Sequence, residues 1–311
     1  MSARRRQRGV ALLTAMLIVA LATVICTAMI SRMTLAMHRS GNIWNAEQAW
    51  WYGVGIENWL GTKLREDAQH SKIDSLQELW ARPVDYLPID GGSISGRIVD
   101  LQGRFNLNNL VLGNPETSAA QLVRLIQAVS DTDEITARTI AQAAHDWIDS
   151  DITPLRPYGA EDNYYLGLTP AYRTGNTLMV SPSELRAVRG MTPALYRRLV
   201  PYICALPTAT AINVDTAPAP VLQSIADLPQ GTGQELATMR RDSPWESVEE
   251  FKGADPLAGQ DLKNVSLSVA TQYFLLAGRI KVGNSDTQFY SVLNRDSEGA
   301  VTVVRQATQA F

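Results

Sequence analysis

Twenty-one consecutive residues, Val10 to Ile30, carry no charge, and Arg4-Arg5-Arg6-Gln7-Arg8-Gly9 stands directly before them. An apolar run of that length spans a bilayer as a helix. The four arginines hold its start on the cytoplasmic side, so the remaining chain points outward. A secretory signal peptide would end in a small-residue cleavage site after a shorter apolar core, and no such site stands out before Ile30. The conspicuous break is Gly9, ahead of the apolar segment. A cut there removes the basic leader and leaves the hydrophobic helix attached; an uncleaved N-terminal anchor is the alternative.

Beyond Ile30 the helical pattern continues. Ser31 to Leu64 lacks proline, and Met33, Met37, Trp44, Trp51, Leu60 and Leu64 recur near helical spacing. Gly41, Gly53, Gly55 and Gly61 weaken it, each by up to about 1 kcal/mol relative to alanine. A continuous helix over 10–64 is roughly 80 Å long, so its second half must pack on a globular head. A membrane helix followed by a separate soluble helix is the other possibility.

With 311 residues, of which 19% are charged and 45% apolar, the chain is globular and long enough for about two domains. Four of its 28 basic residues lie in the leader, which leaves 24 against 31 acidic residues, or −7, once the leader is gone. An acidic body outside the cytoplasm argues against a nucleic-acid partner. Cys26 lies inside the apolar run and Cys204 far along the chain, so an intramolecular disulfide is not expected.

Two β-like blocks flank a long helical stretch. Ser93–Asp100 alternates as a strand, with Phe105–Asn108 resuming after a turn. At the far end, Tyr273–Val282, Phe289–Arg295 and Ala300–Gln306 read as an antiparallel meander. The expected fold class is therefore α+β: a long N-terminal helix packed on an antiparallel sheet, with an all-α domain inserted between strands. The expected segments are a leader (1–9), the N-terminal helix (10–64), the first part of the α+β domain (65–108), the insertion (109–270) and the closing strands (271–311). Within the insertion, Phe105-Asn106-Leu107-Asn108 and Ile212-Asn213-Val214-Asp215 form a weak repeat, read as polar caps before helices. Leu228–Gly233 and Val188–Thr192 resemble turns of helix-hairpin-helix (SAM-like) modules, which in many proteins bind DNA phosphates.

The most chemical segment is His145-Asp146-Trp147-Ile148-Asp149-Ser150-Asp151, followed by Glu161-Asp162-Asn163. Asp146 and Asp149 share a face at the end of a helix, where the negative dipole disfavours carboxylates. Three of them together suggest a bound cation, and oxygen donors without cysteine suit Ca²⁺. A solvated acidic loop is the plain alternative. Acid–base hydrolysis with His145 as base is a third reading, but no GxSxG, HExxH or phosphate-loop motif accompanies it.

The short basic leader ending in Gly9, followed by Val10-Ala11-Leu12-Leu13, resembles that of type IV prepilins and pseudopilins. With the long helix, the split strand block, Asp146-Trp147-Ile148-Asp149-Ser150-Asp151, Gly159-Ala160-Glu161-Asp162 and Ile212–Ala217, essentially the whole chain resembles the K-type minor pseudopilins of the bacterial type II secretion system. The resemblance implies a non-enzymatic assembly subunit. A prepilin peptidase would cut between Gly9 and Val10 and methylate the new terminus. Anchored once in the inner membrane with its head in the periplasm, the subunit would cap the pseudopilus tip. Its implied partners are the I- and J-type minor pseudopilins, the inner-membrane secretion platform and secreted substrates. The family's calcium would fall among Asp146, Asp149, Asp151, Glu161, Asp162 and Asn163. Major pilins carry glutamate at the fifth mature position, where it neutralises a neighbour's amino terminus in an apolar medium. Here that position is Thr14, which agrees with a tip subunit that has no subunit ahead of it. A membrane-anchored DNA-binding protein remains the alternative.

Overall fold

The computed structural model describes the backbone of residues 4–308 and the side chains of residues 10–308. The side chains of the leader lie outside the described residues, so the Gly9 half of the expected cleavage pair has only its backbone described. Helix α1 runs unbroken over Arg4–His70, about 100 Å at 1.5 Å per residue. It is one helix and not two, and it passes the expected end at Leu64. Neither proline nor glycine occurs between Lys63 and His70, and a Lys63–Glu66 ion pair one turn apart supports the extra turns. The stretch from Val10 to Ile30 is exposed throughout. Its hydroxyls bond within the helix: Thr14 Oγ1 donates to the Ala11 carbonyl at 3.0 Å and Thr23 Oγ1 to that of Val19 at 2.8 Å. Such internal satisfaction is what a helix needs where lipid offers no partner.

In chain order there follow β1 (Val84–Ile89), β2 (Gly92–Asp100) and β3 (Phe105–Asn106). Helices α2 (Asn109–Leu112), α3 (Pro115–Val129), α4 (Glu134–Ile148), α5 (Asp162–Tyr165) and α6 (Pro193–Leu199) come next. Strands β4 (Ile203–Cys204) and β5 (Ile212–Asn213) precede α7 (Ala219–Ser224), α8 (Thr232–Asp242) and α9 (Val248–Lys252). Finally come β6 (Leu267–Ser268), β7 (Tyr273–Val282), β8 (Ser285–Arg295) and β9 (Val301–Thr308). One antiparallel sheet has the order β1-β2-β7-β8-β9. The fold is α+β, with the helices from α2 to α9 lying between the adjacent strands β2 and β7. The edge strand β1 was not foreseen, because Pro83 and Pro88 read as breakers. A proline is tolerated there because its missing N–H falls on an edge.

Helix α1 lies over β7, β8 and β9. Ala49, Leu60 and Leu64 join Trp80, Ile94, Phe274, Ile280, Phe289 and Leu293 in one core. Gly53 makes this approach possible: a Cβ there would sit 2.6 Å from Phe289 Cδ2. A second, larger core belongs to the helices and includes Phe105, Leu122, Ile140, Trp147, Tyr165, Val221 and Phe251.

The repeat around Asn106 and Asn213 has a structural meaning other than capping. Strand β3 pairs in parallel with β4, and β5 with β6, so each copy opens a unit that its own downstream strand closes. Asn108 stands before α2, yet its side chain caps nothing. Fully buried, it donates to the Met179 and Leu206 carbonyls at 2.9 and 2.8 Å and accepts from Met179 N–H. Asn213 donates to the Asp74 carbonyl and to Asp100 Oδ2, both at 2.8 Å. The true caps of α3 and α4 are Asn114 and Asp133.

At the junction of sheet and insertion, polar groups are buried together. Arg295 Nη2 donates to both oxygens of Asp74 at 2.6 Å, and Thr216 and Thr271 donate to Asp100 at 2.6 Å. Burial pushes Asp74 up to about 6 against the pull of Arg295. The network joins the end of β2, the insertion and the end of β8 at one point, with every carboxylate oxygen supplied with a donor, as burial requires.

Candidate metal centre

Asp146 sits in the last turn of α4, completely buried, and Asp149 is the residue that ends the helix. Both oxygens of Asp146 lie within reach of the Leu155 N–H, at 3.2 and 3.1 Å. A side chain at Gly159 would collide with Asp146 Oδ2, so the loop closes this tightly only with glycine there. His145 Nδ1 is 3.1 Å from Asp149 Oδ2 and 3.8 Å from Asp146 Oδ1. Its contact with Asp146, then the charge of Asp149, raises the imidazole above its ordinary pKa.

Two ligand-bearing groups overlap at Asp149. His145, Asp146 and Asp149 form one; Asp149, Asp151 and Glu161 form the other, each with potential ligand atoms within 4.8 Å of one another. Glu161 is 1% exposed. Burial first, then the charges of Asp146 and Asp149, pushes its pKa up to about 7. Burial likewise raises Asp149. Carboxylates brought together in a buried place resist ionisation, and His145 only partly offsets this at Asp149.

The remaining candidates fall differently. Asp162 opens α5 and its oxygens accept from Arg173 Nη1 at 2.9 Å, Thr174 N–H at 3.1 Å and Thr174 Oγ1 at 3.2 Å. Asn163 is exposed on the same short helix, and neither residue belongs to the two groups. Asn176 was not foreseen. Its N–H donates to the Trp147 carbonyl at 3.0 Å and its side-chain amide to the Asp151 carbonyl at 3.4 Å, which sets it beside the cluster. Its backbone takes the left-handed conformation, φ 44°. The Gly175-Asn176 dipeptide signals such a turn, but nothing in the sequence ties that turn to Asp149.

Asp149 Oδ1, Glu161 Oε1 and Asn176 Oδ1 are buried and have no hydrogen-bond donor. Three orphaned acceptors beside clustered carboxylates would each cost about 1–3 kcal/mol of unmet desolvation. All are hard oxygens, and no cysteine is among them. The donor set therefore fits a Ca²⁺-type cation.

The hairpin turns also have structural employment. Gly233 N–H, a donor at the α7–α8 turn, is taken by Gln223 Oε1 at 2.9 Å. A side chain on Gly190 would meet Ile140 Cγ1 at 3.1 Å, so that turn packs on α4.

Residues 103–208 and 212–270 match two family models, both described as Type II secretion system (T2SS), protein K. Over 97% of its length the chain is 36% identical to the type II secretion system protein K of Pseudomonas aeruginosa, covering 92% of that protein. It is 32% identical to the protein of that name from Aeromonas hydrophila, with 97% of each chain covered. Its fold is similar to a chain in the crystal structure of the GspK-GspI-GspJ complex from the enterotoxigenic Escherichia coli type 2 secretion system. There the TM-score is 0.79 and the identity 27%, over 88% of this chain and 100% of the other. The chain belongs to the type II secretion system protein K family.

Proposed function

We propose that this chain is a minor pseudopilin that caps the type II secretion pseudopilus, nucleates its assembly with I- and J-type minor pseudopilins and supports export across the outer membrane. The observation that carries this reading is the likeness of the described head, over the whole of the other chain, to a protein crystallised with GspI and GspJ. The uncharged run Val10–Ile30 of α1, with Thr14 bonded to its own helix in place of a carboxylate, supports the position at the tip. Prepilin peptidase removes the leader after Gly9 and methylates Val10. Residues 10–30 then hold the chain in the inner membrane, the head is periplasmic, and the secretion platform and the exported proteins are its further contacts. The part is structural and not enzymatic. The test is co-purification: the chain, co-expressed with its I- and J-type partners, is expected to bring both down as one complex. Recovery of the chain alone would overturn the reading.

Ca²⁺ is the ion this head holds, with Asp149, Glu161 and Asn176 as ligands and Asp146 and Asp151 adding negative charge. When bound, the ion would supply positive charge beyond what His145 gives the cluster. The residues do the rest: α4 presents Asp146 and Asp149, the 151–161 loop returns Glu161, and the 174–176 turn closes the third side.

Proton competition follows from Glu161. Its folded pKa of about 7 lies above the ordinary 4.5, so without metal the folded head takes up a proton more readily than the unfolded chain. The metal-free head is thus stabilised as pH falls from about 7 toward the ordinary glutamate value, and loses that stability as pH rises through about 7. Burial first, then Asp146, Asp149 and Asp151, holds the pKa up, and Thr174 opposes them. Ca²⁺ must displace this proton. Calorimetric titration is expected to show Ca²⁺ affinity weakening below about pH 7, with proton release on binding. A flat profile would remove Glu161 from the ligand set.

A further inference from the structure

Between Glu184 and Asp215 the insertion carries four arginines, Arg186, Arg189, Arg197 and Arg198, and no acidic residue. The chain as a whole is net negative, so the stretch is a local reversal of charge. It folds as a 3-10 turn over Pro182–Ala187, a bend at Gly190 with φ 83°, and α6. Thr192 caps α6 by accepting from the Leu195 N–H at 3.2 Å, and Leu195 and Leu199 turn into the helical core. Arg197 and Arg198 are left outside and exposed, as is Arg186.

Arg189 is already employed. Its guanidinium lies 4.8 Å from the centre of the Tyr164 ring and donates to the Gly159 carbonyl at 3.2 Å. The other three have no hydrogen bond or ion pair among the described residues. Arg186 stacks 5.8 Å from the centre of the Tyr196 ring, which steadies it and leaves its N–H edge open. The negative end of α6 welcomes cations at Arg197 and Arg198, but it accounts neither for Arg186, outside that helix, nor for the choice of arginine. No lysine occurs between Lys72 and Lys252. Arginine presents a planar fork that meets an oxyanion with two parallel bonds, where lysine is a point charge.

The residues from 185 to 214 contribute no exposed large apolar side chain, so the stretch has nothing to seat in a bilayer, and a lipid surface is a poor occupant. A nucleic-acid duplex would run past the patch onto an acidic body. A short acidic segment is matched by the patch and ends with it.

We propose that this face of the insertion docks an acidic segment of another protein, with Arg186, Arg197 and Arg198 each paired to one of its carboxylates. The docking does not depend on the position of the chain at a pseudopilus tip.

The test titrates the full chain, in neutral detergent, into a fluorescein-labelled peptide of alternating glutamate and serine, read by anisotropy. Binding is expected at low salt and is expected to fade as salt is added. The triple change Arg186→Gln, Arg197→Gln and Arg198→Gln is expected to weaken it at least about tenfold, with the melting temperature within about 2 °C of the unaltered chain. Should the triple change unfold the head, Arg197→Gln alone decides, with an expected loss of about threefold. Lys252→Gln, Lys263→Gln and Lys281→Gln together remove the same charge from exposed positions elsewhere and are expected to leave binding unchanged. No binding at low salt overturns the proposal, as does an equal loss in the lysine triple. Tighter binding of duplex DNA or of phosphatidylglycerol vesicles through the same arginines overturns it in favour of a phosphate-bearing partner.

Discussion

Replacing Gly9 with leucine is expected to leave the leader on the chain and to stop secretion with it. Glycine is the one residue at which a peptidase meets a bare backbone, with no Cβ in the way of close approach. The energetic consequence is larger than the loss of a cut. An uncut chain keeps Arg4, Arg5, Arg6 and Arg8 on the end of a helix that must leave the bilayer to enter a filament. Each arginine drawn to the centre of an apolar medium costs about 2.5–3.5 kcal/mol on insertion scales, so the four together hold the uncut helix in the membrane. Intact-mass measurement of the membrane-extracted protein reads the leader directly, and the culture medium reads secretion. Normal processing and export by the leucine variant would sink the pseudopilin assignment.

The second large effect is expected on removing Ca²⁺. At one hundred times its dissociation constant a ligand contributes about 2.7 kcal/mol to the folded state. For a head of this size that corresponds to a fall of roughly 5–10 °C in melting temperature on adding chelator. Asp149→Asn and Glu161→Gln are expected to abolish most of this difference, and Asn176→Ala to reduce it. The three changes are expected not to be additive, because the residues would share one ion. The Asp162→Asn variant, by contrast, is expected to keep the response to chelator, since Asp162 already has Arg173 and Thr174 as partners. An unchanged melting temperature in chelator would dismiss a structural ion and leave the three orphaned acceptors to bound water.

Much of the fold was legible. The closing meander reads correctly because Tyr273–Val282 and its neighbours are short runs rich in β-branched and aromatic residues bounded by turns, and that is local information; the start of β7 is buried on both faces. Strand β1 did not read, since proline is a breaker everywhere except on an edge, and only the assembled sheet defines its edge. Asn108 and Asn213 read as caps from spacing, because an asparagine before a helix commonly is one. Their side chains instead bind carbonyls at Met179, Leu206 and Asp74, residues too distant in sequence for spacing to indicate.

The candidate centre divides the same way. Asp146 and Asp149 share the end of α4 and Asp151 follows two residues on, so short chain spacing alone brings their charges together. Glu161 needed a returning loop, which the glycine and prolines before it made readable. Asn176 enters only through its bonds to Trp147 and Asp151, and its importance rests on an unpaired oxygen that exists only once the site is closed.

The sequence by itself determined the long apolar N-terminal helix, the helical and β periods and the local cluster of carboxylates. All of these depend on residues within a few positions of one another, where one turn or one pleat fixes the geometry. The tertiary structure alone decided which acceptors are left without donors, where Asp162 spends its charge, and which strands α1 leaves uncovered. Those outcomes depend on packing between separate segments, from 11 residues apart for Asp162 and Arg173 to 231 for α1 and the end of β8, and chain spacing carries no information about which buried groups will find each other.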